Sequence, residues 1–278
     1  MSLLTQISKL FTKKQASQAI GIALQPNALS ICAIPLVQSD LSENDSKEKP
    51  VVFAQSEVQS ATFIQAISEV DNKHDLSGKA SLVLSASQTQ IVQVDKPSIP
   101  EDEICSALKW QIKDLVTFSP DDMVLDYFDG PVLSGGVEKI NVVCAKASEL
   151  RDIVAVVNQN NMQLESITTQ EFAFSQLLEK SNDACLLICQ EPGEEIVILI
   201  VKQGQLFFHR RLRGFTSIAE KSVEELAGSV IDNLSLEVQR STDYYERQLK
   251  QAPIKELKVL VPIKSEAFFA RKLAENTN

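Results

Sequence analysis

Cys185 and Cys189, four residues apart in the apolar run Ala184–Gln190, are the pair whose types could ligate a metal or close a disulfide. The run has the length and composition of a strand. Extended residues at i and i+4 share a face but lie about 13 Å apart, too far for an S–S bond or a shared ion. Both are therefore expected to be small core residues. With Cys32, Cys105 and Cys144 they make an odd total of five with no paired spacing. That argues against a disulfide framework and fits a reducing compartment. Of the two histidines, His74 falls in a polar turn and His209 in mid-strand, neither with a cysteine or carboxylate at ligand spacing. No zinc or histidine-based catalytic site is expected. Asp121-Asp122 follows Ser119-Pro120, where turn chemistry explains the acids better than catalysis does. There is no G-x-x-x-x-G-K-[ST], no G-x-G-x-x-G and no G-x-S-x-G. Glycines number only nine, and the pair Gly135-Gly136 reads as a hairpin turn. Loops that cradle phosphate need glycine so that backbone N–H groups can approach the oxygens.

The elements that would carry these residues belong to a chain of 278 residues, enough for one large or two modest domains, with 44% hydrophobic content to fill a core. Its net charge of -10 repels phosphate backbones, so no nucleic-acid partner is expected. The longest apolar run, Ile196–Val201, has strand length and falls far short of the roughly 20 residues that span a bilayer. The N-terminus has no basic residue before its apolar part and no small-residue cleavage site, so it does not read as a signal peptide, and a cytoplasmic location follows. Leu3, Leu4, Ile7, Leu10 and Phe11 share one helical face edged by Lys9, Lys13 and Lys14. Residues 1–17 are thus either an amphipathic segment, touching a membrane or partner through 1–14, or a frayed end that packs locally.

Strands are expected at Ala19–Leu24 and Leu29–Leu36 around a Gln25-Pro26-Asn27 turn, then at Val51–Val58 after a polar loop over 38–50. A helix capped by Ser60 carries Phe63, Ile64, Ile67 and Val70, and Ala80–Ala86 with Thr89–Asp95 reads as a further strand pair. Pro97–Asp129 holds a helix whose inward stripe is Ile104, Leu108, Ile112 and Leu115, followed by a strand. Next come a strand at Lys139–Ala145, a helix capped by Ser148, and Gln163–Thr168 leading into a helix with Phe172, Leu177 and Leu178. Ser181-Asn182-Asp183 reads as a boundary. Beyond it lie strands Ala184–Gln190, Glu195–Lys202 and Gln205–Arg213. A capping box at Ser222–Glu225 opens a long helix striped by Leu226, Val230, Leu234, Val238, Ser241, Tyr245 and Leu249. Strand Leu257–Val261 and helix Ser265–Ala274 follow. Both halves run three strands, a helix and a strand, which suggests a duplicated α/β fold.

Several segments resemble the actin-like PilM family of type IV pilus assembly, in particular its branch in the mannose-sensitive haemagglutinin (MSHA) pilus system. They are Ile99–Tyr127 with IPEDE, the KWQ tryptophan, FSPDD and VLDY; Lys139–Ser166; Gln203–Phe207 followed by Arg210–Gly214; and Glu237–Tyr245. Their order and spacing carry the resemblance more than any one motif. It implies an actin-like, RNase H-like ATPase fold with two lobes and an inserted α/β subdomain. The lobes would span 18–182, with the insert at 99–164, and 183–278. The last lobe lacks the further strand of the family, as a truncated chain would. The family works at the cytoplasmic face of the inner membrane. It binds the N-terminal tail of a bitopic PilN-like partner and links it to the assembly ATPase, and many members bind ATP between the lobes.

Against that pattern, Ala23 and Gln25 stand where the first phosphate loop has its Asp and Gly, and Gln190 and Pro192 stand in the second. Glu191, Glu194 and Glu195 crowd a place meant for phosphate, and Val261–Ser265 lacks the adenosine-loop glycine. No cofactor and no catalytic residue are expected; the nucleotide-binding loops read as degenerate, as in a pseudo-ATPase scaffold, the alternatives being an ATP-binding actin-like ATPase of the same pilus system or a protein like the cytoplasmic domain of a type II secretion component. By analogy the tail sits against the insert, which nominates Trp110, Lys113 and Phe118. Trp110, the sole tryptophan, lies off the inward stripe and is expected to pack on the neighbouring subdomain or on a partner.

Overall fold

The computed structural model describes residues 18–36, 52–58, 63–130 and 138–277. The N-terminal segment, the loop at 38–50, the Ser60 cap and the Gly135-Gly136 turn lie outside the described residues.

The packing separates into two compact units. In the first, β1 (Gln18–Leu24), β2 (Ala28–Pro35) and β3 (Val52–Glu57) form an antiparallel meander. Helix α1 (Phe63–His74) carries the crossover to β4 (Gly78–Leu84), which pairs parallel to β1. After the chain returns through a helix at Ala147–Gln159, β8 (Met162–Thr169) closes a sheet of order β3-β2-β1-β4-β8. The alternation of Ile20, Ile22 and Leu24 buries one side of β1, and Ile67 and Val70 bury the inner face of α1. Gly78 starts β4 where a Cβ would meet the backbone of Gln18, so β1 and β4 approach closely there.

The second unit begins at Ser85. Ala86–Gln88 is a 3-10 turn, and β5 (Thr89–Asp95) starts a separate sheet of order β5-β7-β6 with β6 (Met123–Asp129) and β7 (Lys139–Lys146). Hence Ala80–Ala86 and Thr89–Asp95 are not a strand pair: they enter different sheets because the turn redirects the chain. By packing, this excursion runs from Ser85 to Ala147 and groups with the residues from Thr169 onward, whereas the resemblance placed an insert at 99–164 and a division after 182. Helix α2 of the first unit's return is Ala147–Gln159, with Ile153, Val156 and Val157 buried.

Helix α3 (Glu101–Gln111) covers one face of the three-stranded sheet with Ile104, Leu108 and, just past its end, Ile112. Leu115 departs from the expected stripe and is exposed, because the helix stops at Gln111 and helical spacing no longer applies beyond it. The helix α4 (Gln170–Ser175) is likewise shorter than expected, leaving Leu177 exposed while Phe172 and Leu178 pack inward.

The second sheet of this unit has order β11-β10-β9-β12, with β9 (Cys185–Cys189), β10 (Ile196–Lys202), β11 (Gln205–Leu212) and β12 (Glu256–Leu260). β9, β10 and β11 are antiparallel and β12 is parallel to β9, repeating the connectivity of β1 to β4. β9 and, up to Val201, β10 are buried throughout because both faces are covered, so they read as continuous apolar runs rather than alternating ones. A helical run crosses one face: Val223–Glu225, a π-helical turn at Leu226–Val230, α5 (Ile231–Asp243) and a second π-helical turn at Tyr244–Gln248. Gly228 interrupts its helical geometry. With α6 (Glu266–Thr277) it buries Leu234, Val238, Tyr245, Phe269 and Leu273. Phe172 and Phe174 cover the other face.

The capping box is present: the Ser222 amide donates to the Glu225 carboxylate at 2.8 Å and the Glu225 amide to Ser222 Oγ at 3.3 Å. Ser222→Ala is expected to cost about 1 kcal/mol, read as a small fall in the midpoint of chemical denaturation with an unchanged slope.

Candidate functional site

Each loop that the resemblance placed around a nucleotide is tied down by hydrogen bonds within its own unit. In the first unit, Ala23 pairs with Ser30 and Val83, and the Gln25 amide donates to the Ala28 carbonyl at 2.9 Å, holding the β1–β2 hairpin with Gln25 buried. In the second unit, the β9–β10 loop is tied down by Gln190. Its amide nitrogen Nε2 donates to the Glu194 carbonyl at 2.7 Å and the Phe215 carbonyl at 2.8 Å, while its backbone N–H goes to Leu260. The Glu194 N–H turns back to Glu191, and Pro192 has none to give. The buried Glu194 carboxylate accepts from the Ser87 amide and hydroxyl, and that of Glu195 from the amides of Gly214 and Phe215. At the turn after β12, the Val261 amide donates to Glu266 and that of Ile263 to the Val261 carbonyl. The backbone N–H groups of Gln25, Gln190, Glu194, Val261 and Ile263 are thus committed, Pro192 has none, and the carboxylates oppose a phosphate. These residues do not fit the group.

The densest polar constellation lies elsewhere, at the C-terminal end of β11. Glu171 is fully buried on α4, and Arg211 meets its Oε1 through Nε at 2.7 Å. The same guanidinium donates to the carbonyls of Ala86 and Thr89, each at 2.8 Å, and to Thr89 Oγ1 at 2.9 Å. Burial pushes the Glu171 carboxyl up, but the charge and hydrogen bond of Arg211 outweigh it and hold the group below the usual carboxylate range. His209, beside them on β11, is pushed down by burial, with Glu171 pulling it up and Arg211 down. Sequence reading passed over this cluster. Its signal is a run of arginines at Arg210, Arg211 and Arg213 in a strand of an acidic chain. The geometry pins β11 to the start of β5 and offers no nucleophile.

The nominated partner residues are only partly brought together. Trp110 is 64% exposed on α3, so it does not pack on a neighbouring subdomain. Lys113 is exposed just past the helix, and Phe118 is half-buried, packed against the core under α3. Cys144 and Cys185 are buried, which pushes each thiol up to about 11, and Cys189 is raised well above the ordinary value for the same reason. Ellman's reagent on the folded protein is therefore expected to label Cys32 and Cys105 and spare these three. No group of three or more metal-ligating side chains occurs among the described residues, and none of their helices is long and apolar enough to cross a membrane.

No family model matches the sequence, and no curated protein does. Solved structures do match. One is a PilM-PilN type IV pilus biogenesis complex, at TM-score 0.65 and 16% identity over 93% of this chain and 85% of that one. Another is the cytoplasmic domain of EpsL, an inner-membrane component of the type II secretion system of Vibrio cholerae, at 0.55 and 13% over 94% of each. A third is a Bacteroides thetaiotaomicron protein with an actin-like ATPase fold, at 0.54 and 10% over 96% and 91%. The strand order repeated in the two units, β3-β2-β1-β4 and β11-β10-β9-β12, and these likenesses together establish that the chain has the actin-like ATPase fold.

Proposed function

We propose that this protein is a non-catalytic scaffold of type IV pilus biogenesis, an MshI-like member of the PilM family serving the MSHA system. It sits peripherally at the cytoplasmic face of the inner membrane. There it holds the N-terminal tail of a bitopic PilN-like protein and links that protein to the assembly ATPase. The observation that supports the non-catalytic half is the loop at Gln190–Glu195, where the donors of Gln190 go to Leu260, Glu194 and Phe215 and the Glu194 N–H goes to Glu191. The partner half is supported by the likeness to a PilM-PilN complex and by the exposed Trp110. Trp110 and Lys113 contact the tail, and Phe118 supports them from below. The two actin-like lobes at 18–182 and 183–278 act as a platform, with residues 1–14 as a membrane contact.

The likeness to EpsL over 94% of both chains favours a second reading, a secretion-system component of the same fold. Thermal melts with synthetic tail peptides separate the two. A PilN-like tail at a hundredfold excess over its Kd is expected to raise Tm by several degrees. A shift given only by tails of secretion-system membrane proteins would replace the pilus reading with the second one.

A further inference from the structure

Arg210, Arg213, Lys221 and Arg240 line one groove of about 780 Å³ between the end of β11 and the outer face of α5, with Arg211 at its edge. Five cations within one segment are out of character for a chain of net charge -10. Glu237 is the only acid in the lining, and it is shared by Arg210 at 2.9 Å and Arg240 at 2.5 Å. Arg211 is committed to Glu171. Arg213 and Lys221 form no salt bridge among the described residues, although the charge of Lys221 reaches Glu225 outside the lining. Five cations against Glu237, Glu171 and Glu225 leave the groove a surplus of positive charge.

The lining also says what kind of anion it suits. The cations are spread along the groove rather than converging on one point. Between them stand Val230, Phe215 and Leu236, the last 52% exposed on an otherwise polar helix face. The backbone donors a phosphate needs are absent: the Gly214 and Phe215 amides go to Glu195, and the following helix start is closed by its own capping box. Spaced guanidiniums around an apolar floor match carboxylates spaced along a chain with an apolar side chain between them. The volume suits a few residues of peptide.

We propose that this groove docks an acidic linear peptide segment of a partner protein, its carboxylates taken by Arg213, Lys221 and Arg240 and an apolar side chain laid against Val230 and Leu236. No residue of α3 lines the groove, although Arg210, Arg211 and Arg213 also line a neighbouring hollow with Leu115 and Thr117. On this proposal the full chain holds a membrane-protein tail and an acidic partner segment at different residues.

Fluorescence anisotropy tests this with the full chain and a short labelled peptide alternating Glu with Leu and Phe, against its Gln-for-Glu counterpart. The acidic peptide is expected to bind at low salt, more tightly than the Gln version by about tenfold or more, and to weaken as salt rises. Arg213→Glu with Lys221→Gln, neither of which breaks a salt bridge among the described residues, should abolish binding while leaving circular dichroism unchanged and Tm within a few degrees. Trp110→Ala should leave this binding intact. Equal affinity for both peptides, no binding at all, or insensitivity to the double substitution would overturn the proposal. So would displacement of the peptide by inorganic tripolyphosphate at matching concentration, which would make the groove a phosphate site.

Discussion

Arg211→Met is expected to destabilise the protein by about 3–5 kcal/mol, because it strips the countercharge from a carboxylate with no exposed surface. The same change leaves the carbonyls of Ala86 and Thr89 without this donor. A loss of that size is expected to lower Tm by about 10 °C or more for a chain of this length. Removing both charges, Arg211→Met with Glu171→Gln, should recover a large part of the loss, since an uncharged buried pair avoids most of the desolvation penalty. The pH dependence separates charge from packing. In the native protein the Glu171 carboxyl is held low, so its contribution is present above the unfolded carboxylate pKa of about 4.3 and is lost as pH falls through its lower folded value. In Arg211→Met burial is the largest remaining influence, opposed only by the hydrogen bonds of the Glu171 backbone and Thr169. It raises that pKa, so the carboxyl picks up a proton as pH falls and the penalty shrinks. The gap in stability between the two proteins should therefore be widest near neutrality and narrow toward acid. Urea denaturation across pH measures it, and a gap constant with pH would show that packing, not charge, sets the cost.

Trp110→Ala is expected to leave stability within about 0.5 kcal/mol of the native protein, as an exposed side chain should. Its effect should fall on partner binding, by about 2 kcal/mol or more, or roughly thirtyfold in Kd for a PilN-like tail peptide. An indole standing 64% exposed on a short, well-anchored helix carries little conformational entropy to lose on binding. Isothermal titration with the tail peptide provides the number. Unchanged affinity, with the variant folded, would remove α3 from the binding surface.

What the sequence made legible was local. Thr89–Asp95 is a strand over the residues expected, the Ser222–Glu225 box opens a helix, and the buried runs of β9 and β10 lie at the sheet centre. These features depend on periodicity and capping within a few residues. Leu115 and Leu177 are exposed because α3 and α4 end before them, at Gln111 and Ser175, and no strong stop signal in the sequence marks either end. The Glu171–Arg211 pair was invisible for a different reason. Its members are far apart in sequence, one on a short helix and one on a strand, and only the tertiary fold brings them together. The degenerate residues Ala23, Gln25, Gln190 and Pro192 were readable as departures from a pattern. That Gln190 ties the loop to Glu194 and Phe215 required coordinates.

The central claim, a partner-binding actin-like platform that works without nucleotide, is tested most directly by one titration series. The full chain is titrated with a PilN-like tail peptide, with and without magnesium and a fluorescent ATP analogue whose own signal is followed in parallel. The expected result is saturable peptide binding whose affinity is the same in both conditions, with no analogue binding at millimolar concentration. Tight, magnesium-dependent analogue binding, or peptide affinity that changes when nucleotide is added, would contradict the account.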